Sequence, residues 1–316
     1  MGSLAILFAG QGNQYPQIGL DWIKYDPRLI KYVNEISSIG GFNMMEIVES
    51  IDDTIHDTFY AQPAIVLQSV LAYKILTSET KIHPKAIAGF SLGEYSALNV
   101  SGVFDFHDTM MILFERAKAM QSCAKMNPGT MAAILGLDTL AIESICEDIS
   151  NRVGTVVCAN YNCPGQLVIS GEIEAVNAAC DACKVAGAKR SIVLNVSGAF
   201  HSPLMSEASK TLKDVLSGYK TLEPTCLLYS NVSGLPYQTS NILDYLPKHL
   251  VSPVRFESII RNMMNQGITH FLEIGPKATL SAFVKKINPE AFTINLDKVS
   301  DLENVKGWLK IHGFIE

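Results

Sequence analysis

A chain of 316 residues with 48 % hydrophobic and 18 % charged side chains can bury a sizeable core, which excludes disorder and a fibrous repeat. Its net charge of −6 argues against nucleic-acid binding, which draws on a basic excess, so an anionic ligand has to be met by a local positive site. Seven cysteines without framework spacing read as reduced thiols, and no apolar run reaches the roughly 18–20 residues of a membrane span, so a cytoplasmic location is expected.

The first apolar run, LAILFA at 4–9, reads as a buried strand ending in the turn Gly10-Gln11-Gly12. It lacks the basic flank and the length of a signal-peptide core. After the breaker His83-Pro84, residues 86–90 predict a second strand, with a helix from Leu92 onward. Another helix runs from an N-cap at Asp105 to about 126, where Asn127-Pro128-Gly129 breaks the chain.

Beyond that break the rhythm shortens. Residues 131–137, 155–161, 166–171 and 190–196 read as strands, and 140–150 and 173–187 as helices. The order βαββαβ predicts a ferredoxin-like small domain at 128–196. It is an insertion in a larger α/β domain made of 1–127 and 197–316, to which 270–275 adds a strand followed by a helix after Pro276. Cys180 and Cys183 form a C-x-x-C inside an Ala-rich helix. No second Cys or His pair stands at ligand spacing, so they read as packing residues and no metal site is expected.

Gly89-Phe90-Ser91-Leu92-Gly93 matches G-x-S-x-G. A nucleophilic serine needs a tight strand-to-helix turn, and glycines on either side let the two backbones pass closely. The helix N-terminus then offers the Leu92 N–H as an oxyanion donor. The alternative is an ordinary Gly-Ser turn. Gly10-Gln11-Gly12 fails the dinucleotide fingerprint because Tyr15 stands where its third glycine belongs. It is either a plain loop or the source of a second oxyanion donor, the Gln11 N–H.

His201 follows a predicted strand, and serine before histidine is the hydrolase-like order. A neutral imidazole near Ser91 takes its proton as general base. A lone histidine is more often structural, and no acid occupies a triad-like loop between the two. In the helix 105–126, Arg116 borders the apolar stripe Phe106, Met110, Leu113, Ala117 and Met120. It snorkels, pairs with Glu115 or Glu94, or clamps a substrate carboxylate.

Five ordered segments together resemble the malonyl-CoA:acyl-carrier-protein transacylases over almost the whole chain. They are FAGQGNQYPQIG (8–19), GFSLGEYSAL (89–98), ERAKAMQ (115–121), GAFHSPLM (198–205) and EIGPKATLSAF (273–283). The resemblance implies an α/β-hydrolase-like large domain carrying the ferredoxin-like insertion. It implies Ser91 as nucleophile, His201 as base, Gln11 and Leu92 as oxyanion donors and Arg116 as carboxylate clamp. Gln62 in AQPAI matches a Gln-Pro motif near the pocket, and Asn160 and Gln166 match cleft-lining positions.

Two positions depart from the family pattern. Phe90 replaces the usual histidine before the serine, and His249 in HLVSPVRF (249–256) replaces a glutamine. Relatives orient the catalytic histidine through the main-chain carbonyl at that second position, which survives the change of side chain.

The implied reaction is ping-pong transfer from malonyl-CoA to the phosphopantetheine thiol of an acyl carrier protein, with no metal or organic cofactor. Phe200 narrows the pocket toward malonyl over methylmalonyl. Lys189 with Arg190, and Lys285 with Lys286, are candidate carrier contacts. An acyl-carrier hydrolase, a transacylase for another extender unit and an inactive docking module are the competing readings. Fatty-acid and polyketide assembly both stay open.

Overall fold

The computed structural model describes residues 2–316. Its strands, in chain order, are β1 (Ser3–Phe8), β2 (Ala86–Gly89), β3 (Gly129–Leu135), β4 (Val156–Cys163), β5 (Gln166–Glu172), β6 (Arg190–Val193), β7 (Leu227–Tyr229), β8 (Ile268–Ile274) and β9 (Phe292–Leu296). The chain divides into two compact units. The larger comprises residues 2–114, Lys220–Ser230 and Arg261–Glu316, and the smaller Glu115–Tyr219 and Asn231–Ile260.

The larger unit is built on a wholly parallel sheet in the order β7-β2-β1-β8-β9. Strand β1 lies at its centre with Leu4 to Phe8 buried, which is why it reads as an unbroken apolar run. Phe8 pairs with Gly89 on one side and Ile274 on the other, so β1, β2 and β8 end level. The loops after them, beginning at Ala9, Phe90 and Gly275, therefore emerge together at the carboxyl edge. That edge is where open parallel sheets place ligand sites. Phe90 N–H donates to the Phe8 carbonyl at 2.9 Å, and Ala9 N–H to the Ile274 carbonyl at 3.1 Å, which ties the three loop bases together.

The same unit holds the helix Thr58–Glu79, buried continuously from Ala61 to Ala72. Asp57 caps it by accepting the Phe59 N–H at 2.8 Å. Sequence reasoning does not find it. A helix apolar on every side has no 3.6-residue stripe, and Pro63 reads as a breaker. Pro63 removes a single ladder donor, and an aromatic cluster of Phe42, Phe59, Tyr60 and Phe114 packs beside that turn, with ring centroids 5.0–6.0 Å apart around Phe42.

The smaller unit is built on an antiparallel sheet ordered β4-β5-β3-β6. The helices Thr139–Arg152 and Ile173–Val185 follow β3 and β5 in the chain and share a core with Ile134, Val156, Leu167 and Ile169. Cys146, Cys180 and Cys183 belong to that core as free thiols, so the C-x-x-C packs a helix face. A separate cluster of Met131, Ala159 and Val168 takes in Phe200, Leu194 and Val196.

The four strands and two helices fall inside the expected segment 128–196, whereas the compact unit also takes in the end of the helix Phe106–Met126 and the segments 197–219 and 231–260. Strand β6 stops at Val193, short of the expected 196. Leu194 still donates to Met131 at 2.9 Å, but the Val196 N–H turns back onto the Leu194 carbonyl.

Candidate active site

The serine comes first, because its surroundings explain its motif. Ser91 has φ 50°, in the left-handed region that a residue with a Cβ enters only at a cost. The helix Gly93–Val100 starts two residues later. A Cβ on Gly89 would overlap the Gly93 carbonyl and the Glu94 nitrogen, and a Cβ on Gly93 would overlap the Phe8 carbonyl. Both glycines are therefore required by close backbone approach. Gly93 N–H donates to Phe90 O at 2.9 Å and Glu94 N–H to Ser91 O at 3.1 Å, which closes the strand-to-helix turn. Leu92 is buried at the helix start.

Beside this turn lies the loop after β1. A Cβ on Gly10 would come within about 2.5 Å of the Phe90 carbonyl, so the Gly-Gln-Gly loop packs against the elbow. Gln11 is exposed, and its side-chain amide donates to Thr58 Oγ1 at 3.3 Å. The Phe90 ring is half-buried and faces Phe283 at 6.3 Å. Gln62 is buried in the helix Thr58–Glu79. The larger unit thus brings Gln11, Phe90, Ser91 and Leu92 to one strand edge.

In the smaller unit, His201 also has a left-handed backbone, φ 59°. Its side chain is 4 % exposed. The Nδ1–H of the ring donates to the main-chain carbonyl of His249 at 2.9 Å. That tautomer leaves Nε2 as the proton acceptor. No acid is needed to hold the ring, which accounts for the missing triad carboxylate. Burial, then the neighbouring His249, then Arg116 push the His201 pKa down to about 3, against the raising effect of the His249 and Ser252 carbonyls. The imidazole is neutral at physiological pH and available as a base.

Arg116 is 2 % exposed, while Glu115 pairs with Lys118 at 2.9 Å on the partly exposed side of the helix. The stripe Phe106, Met110, Leu113, Ala117 and Met120 is buried throughout. A guanidinium sunk this far does not snorkel, and a buried one calls for an anionic partner.

Phe200 packs on the cluster that contains Val168, and Gln166 lies two residues from Val168 on the same face of β5. Asn160 is buried in β4 and bridges to Val254. Arg116, Asn160, Gln166, Phe200, His201 and His249 therefore share the smaller unit.

Four non-glycine residues among those described have positive φ: Gln17, Ser91, His201 and Lys277. Each falls in one of the five segments singled out in the sequence. Strained backbone of this kind concentrates where function constrains geometry.

A family model, the acyl transferase domain, matches residues 6–300 and so spans both units. The malonyl CoA-acyl carrier protein transacylase of Bacillus subtilis is 36 % identical over 308 residues, covering 97 % of this chain and 96 % of the relative. The chain belongs to the malonyl-CoA:acyl-carrier-protein transacylase family. A Staphylococcus aureus transacylase of that name is 31 % identical over 98 % of this chain and 99 % of its own length. Among solved structures, the MCAT of Streptococcus pneumoniae superposes with a TM-score of 0.92 at 37 % identity, covering 97 % of this chain and all of that one. A malonyl-transacylase in complex with its type II PKS acyl-carrier protein superposes at 0.91 with 32 % identity over 96 % of this chain and 98 % of its own.

Two features of this transacylase carry no clear sequence signal. The Ser252 carbonyl is a second backbone acceptor near His201. Glu273, in β8, accepts the Leu280 N–H at 3.0 Å and the Ser281 N–H at 2.7 Å, pinning the start of the helix Thr279–Ile287. Burial raises the Glu273 pKa to about 7. Among the described residues there is no cluster of three or more His, Cys, Asp or Glu suited to a metal ion, and no helix long and apolar enough to cross a membrane.

Proposed function

We propose that this transacylase moves a malonyl group from malonyl-CoA to the phosphopantetheine thiol of an acyl carrier protein through an ester on Ser91. Ser91 Oγ attacks the thioester carbonyl while His201 Nε2 takes the hydroxyl proton. The oxyanion is met by the backbone N–H groups of Gln11 and Leu92. When the tetrahedral intermediate collapses, the C–S bond breaks and the coenzyme A sulfur leaves with the proton held on His201. In the second half the carrier thiol gives its proton to His201, attacks the ester, and Ser91 Oγ recovers a proton as it departs. Arg116 pairs with the free carboxylate of the malonyl group, and Gln62, Asn160 and Gln166 are further candidate substrate contacts.

The observation that supports this mechanism best is the buried His201, neutral, with Nδ1 committed to the His249 carbonyl. Both thioesters are of similar energy, so the reaction depends on favouring the carrier thiol over water. Phe200 favours malonyl over methylmalonyl by about 10–200-fold in kcat/KM, the worth of one methyl group. Equal values for the two would remove Phe200 from that role.

The finer architecture follows the same reading. The parallel sheet with its elbow is α/β-hydrolase-like, and 128–196 is a ferredoxin-like insertion. Seven free thiols suit a reducing compartment such as the cytoplasm. Lys189, Arg190, Lys285 and Lys286 are exposed and are the proposed contacts for an acidic carrier surface. The direct test is mass spectrometry of the intact protein after exposure to malonyl-CoA, acetyl-CoA and methylmalonyl-CoA. A malonyl ester that is stable in water and discharged by carrier protein is expected. Rapid discharge by water alone would make the chain a hydrolase.

A further inference from the structure

The chain turns sharply at His201. Its backbone is left-handed, φ 59°, and Ser202 is extended immediately after it, φ −132° and ψ 166°, as a residue before proline tends to be. A reversal of this kind at a residue with a Cβ persists only where its surroundings hold it. Pro203 has no N–H to contribute.

Ser202 supplies a tie across the turn. Its hydroxyl donates to the Ala199 carbonyl at 2.6 Å, three residues back, and accepts the Leu204 N–H at 3.3 Å, two residues on. His201 lies inside the span that the hydroxyl closes. Ser202 and Ala199 are both fully buried, so bulk solvent does not take over these bonds.

Both ends of the tied segment are anchored to the helix Phe106–Met126, which also carries Arg116. The Leu204 carbonyl accepts the buried Cys123 thiol at 3.0 Å and the Asn127 side-chain amide at 3.4 Å. A Cβ on Gly198 would lie 2.7 Å from the Ala124 Cβ, and a Cβ on Gly129 2.7 Å from the Ala199 Cβ, so the entry to the loop packs closely on the end of that helix. With the ends fixed, the hydroxyl of Ser202 sets the path between them.

We propose that Ser202 is a positioning residue for the base: by joining Ala199 to Leu204 across His201, its hydroxyl keeps the histidine backbone left-handed and the ring where Nδ1 reaches the His249 carbonyl. The inference rests on the role given to His201 above. A small displacement of the base lengthens the proton transfer in both half-reactions, whichever acyl group is carried.

The test is the single-turnover rate constant for esterification, followed by intact mass at saturating malonyl-CoA and acetyl-CoA. A rate constant does not depend on how much of a sample is folded. Ser202→Ala is expected to lower it by about 10- to 100-fold for both thioesters alike, with KM unchanged. In a His201→Gln background the same substitution should have no further effect, because the group it positions is gone. An unchanged rate constant, or an equal loss with and without His201, would overturn the proposal and leave the hydroxyl a role in stability alone.

Should Ser202→Ala not fold, Ser202→Cys is the second variant, since it keeps the size and offers a weaker donor. A loss of about threefold or more that disappears in His201→Gln supports the proposal, and the full wild-type rate contradicts it. Failure of the underlying reading looks different, because His201→Gln alone would then form the ester at the wild-type rate.

Discussion

Ser91 and His201 are held by opposite means in the two units. In the larger, a level-ended parallel sheet and two glycines with no space for a methyl group leave the serine turn no alternative path. In the smaller, the histidine ring donates to a main-chain carbonyl 48 residues away. Both residues pay the same conformational cost, a left-handed backbone at a non-glycine position. The serine turn is closed by short-range backbone bonds and braced on both sides by paired strands. The histidine ring is fixed through its own side chain, by a bond to a distant carbonyl.

Substitutions can break this comparison, and the largest effect belongs to the serine. Ser91→Ala is expected to abolish the acyl-enzyme and lower kcat by at least about 10⁴-fold, with the fold kept. His201→Gln should lower acylation by about 10²–10⁴-fold while still leaving a slowly formed ester, since a base accelerates a step that the nucleophile defines. Equal residual activity in the two variants would erase the distinction. Arg116→Ala comes next. Malonyl transfer should fall about 10²-fold and acetyl transfer much less, in line with loss of a charge-assisted bidentate contact. A parallel fall in both would assign Arg116 to the scaffold.

The two units also answer pH in opposite directions. His201 has a folded pKa near 3, below its unfolded value of about 6.5, so in that window only the unfolded chain holds the proton. Its contribution to stability is full above the unfolded value and is lost as pH falls. Glu273 has a folded pKa raised from 4.5 to about 7, so between those values only the folded chain holds the proton, and stability is lost as pH rises. Denaturant melts of His201→Gln and Glu273→Gln from pH 4 to 8 should flatten the acid and the alkaline decline respectively. Flattening on the same side would contradict the assignment.

The smallest expected effect sharpens the glycine contrast. Gly307 sits in the helix Leu302–Ile311 with open space around it, and Gly307→Ala should stabilise by about 0.5–1 kcal/mol. Gly93→Ala should lose activity, and measurably destabilise, because its methyl group meets the Phe8 carbonyl.

How much of this was legible in the sequence follows the same division. Strand β1, the G-x-S-x-G turn, the two-helix antiparallel domain and the packing role of Cys180 and Cys183 rest on local pattern, and each is read from a few neighbouring residues. The helix Thr58–Glu79 was hidden because burial on all sides erases its stripe and Pro63 suggests a break. The partnership of His201 with the His249 carbonyl was reached only through family resemblance, since a carbonyl has no residue type of its own. Arg116 was visible as a cation beside an apolar stripe, but its depth of burial was not. Glu273 left no trace, because a carboxylate that caps a helix start from a neighbouring strand resembles any other acid in a motif.

The most direct test of the proposed Ser91 malonyl ester is to weigh the protein after incubation with malonyl-CoA and map the adduct by peptide sequencing. One malonyl group on Ser91, transferred intact to added carrier protein and absent from Ser91→Ala, is the predicted result. No adduct, or an adduct on another residue that survives in Ser91→Ala, would contradict it.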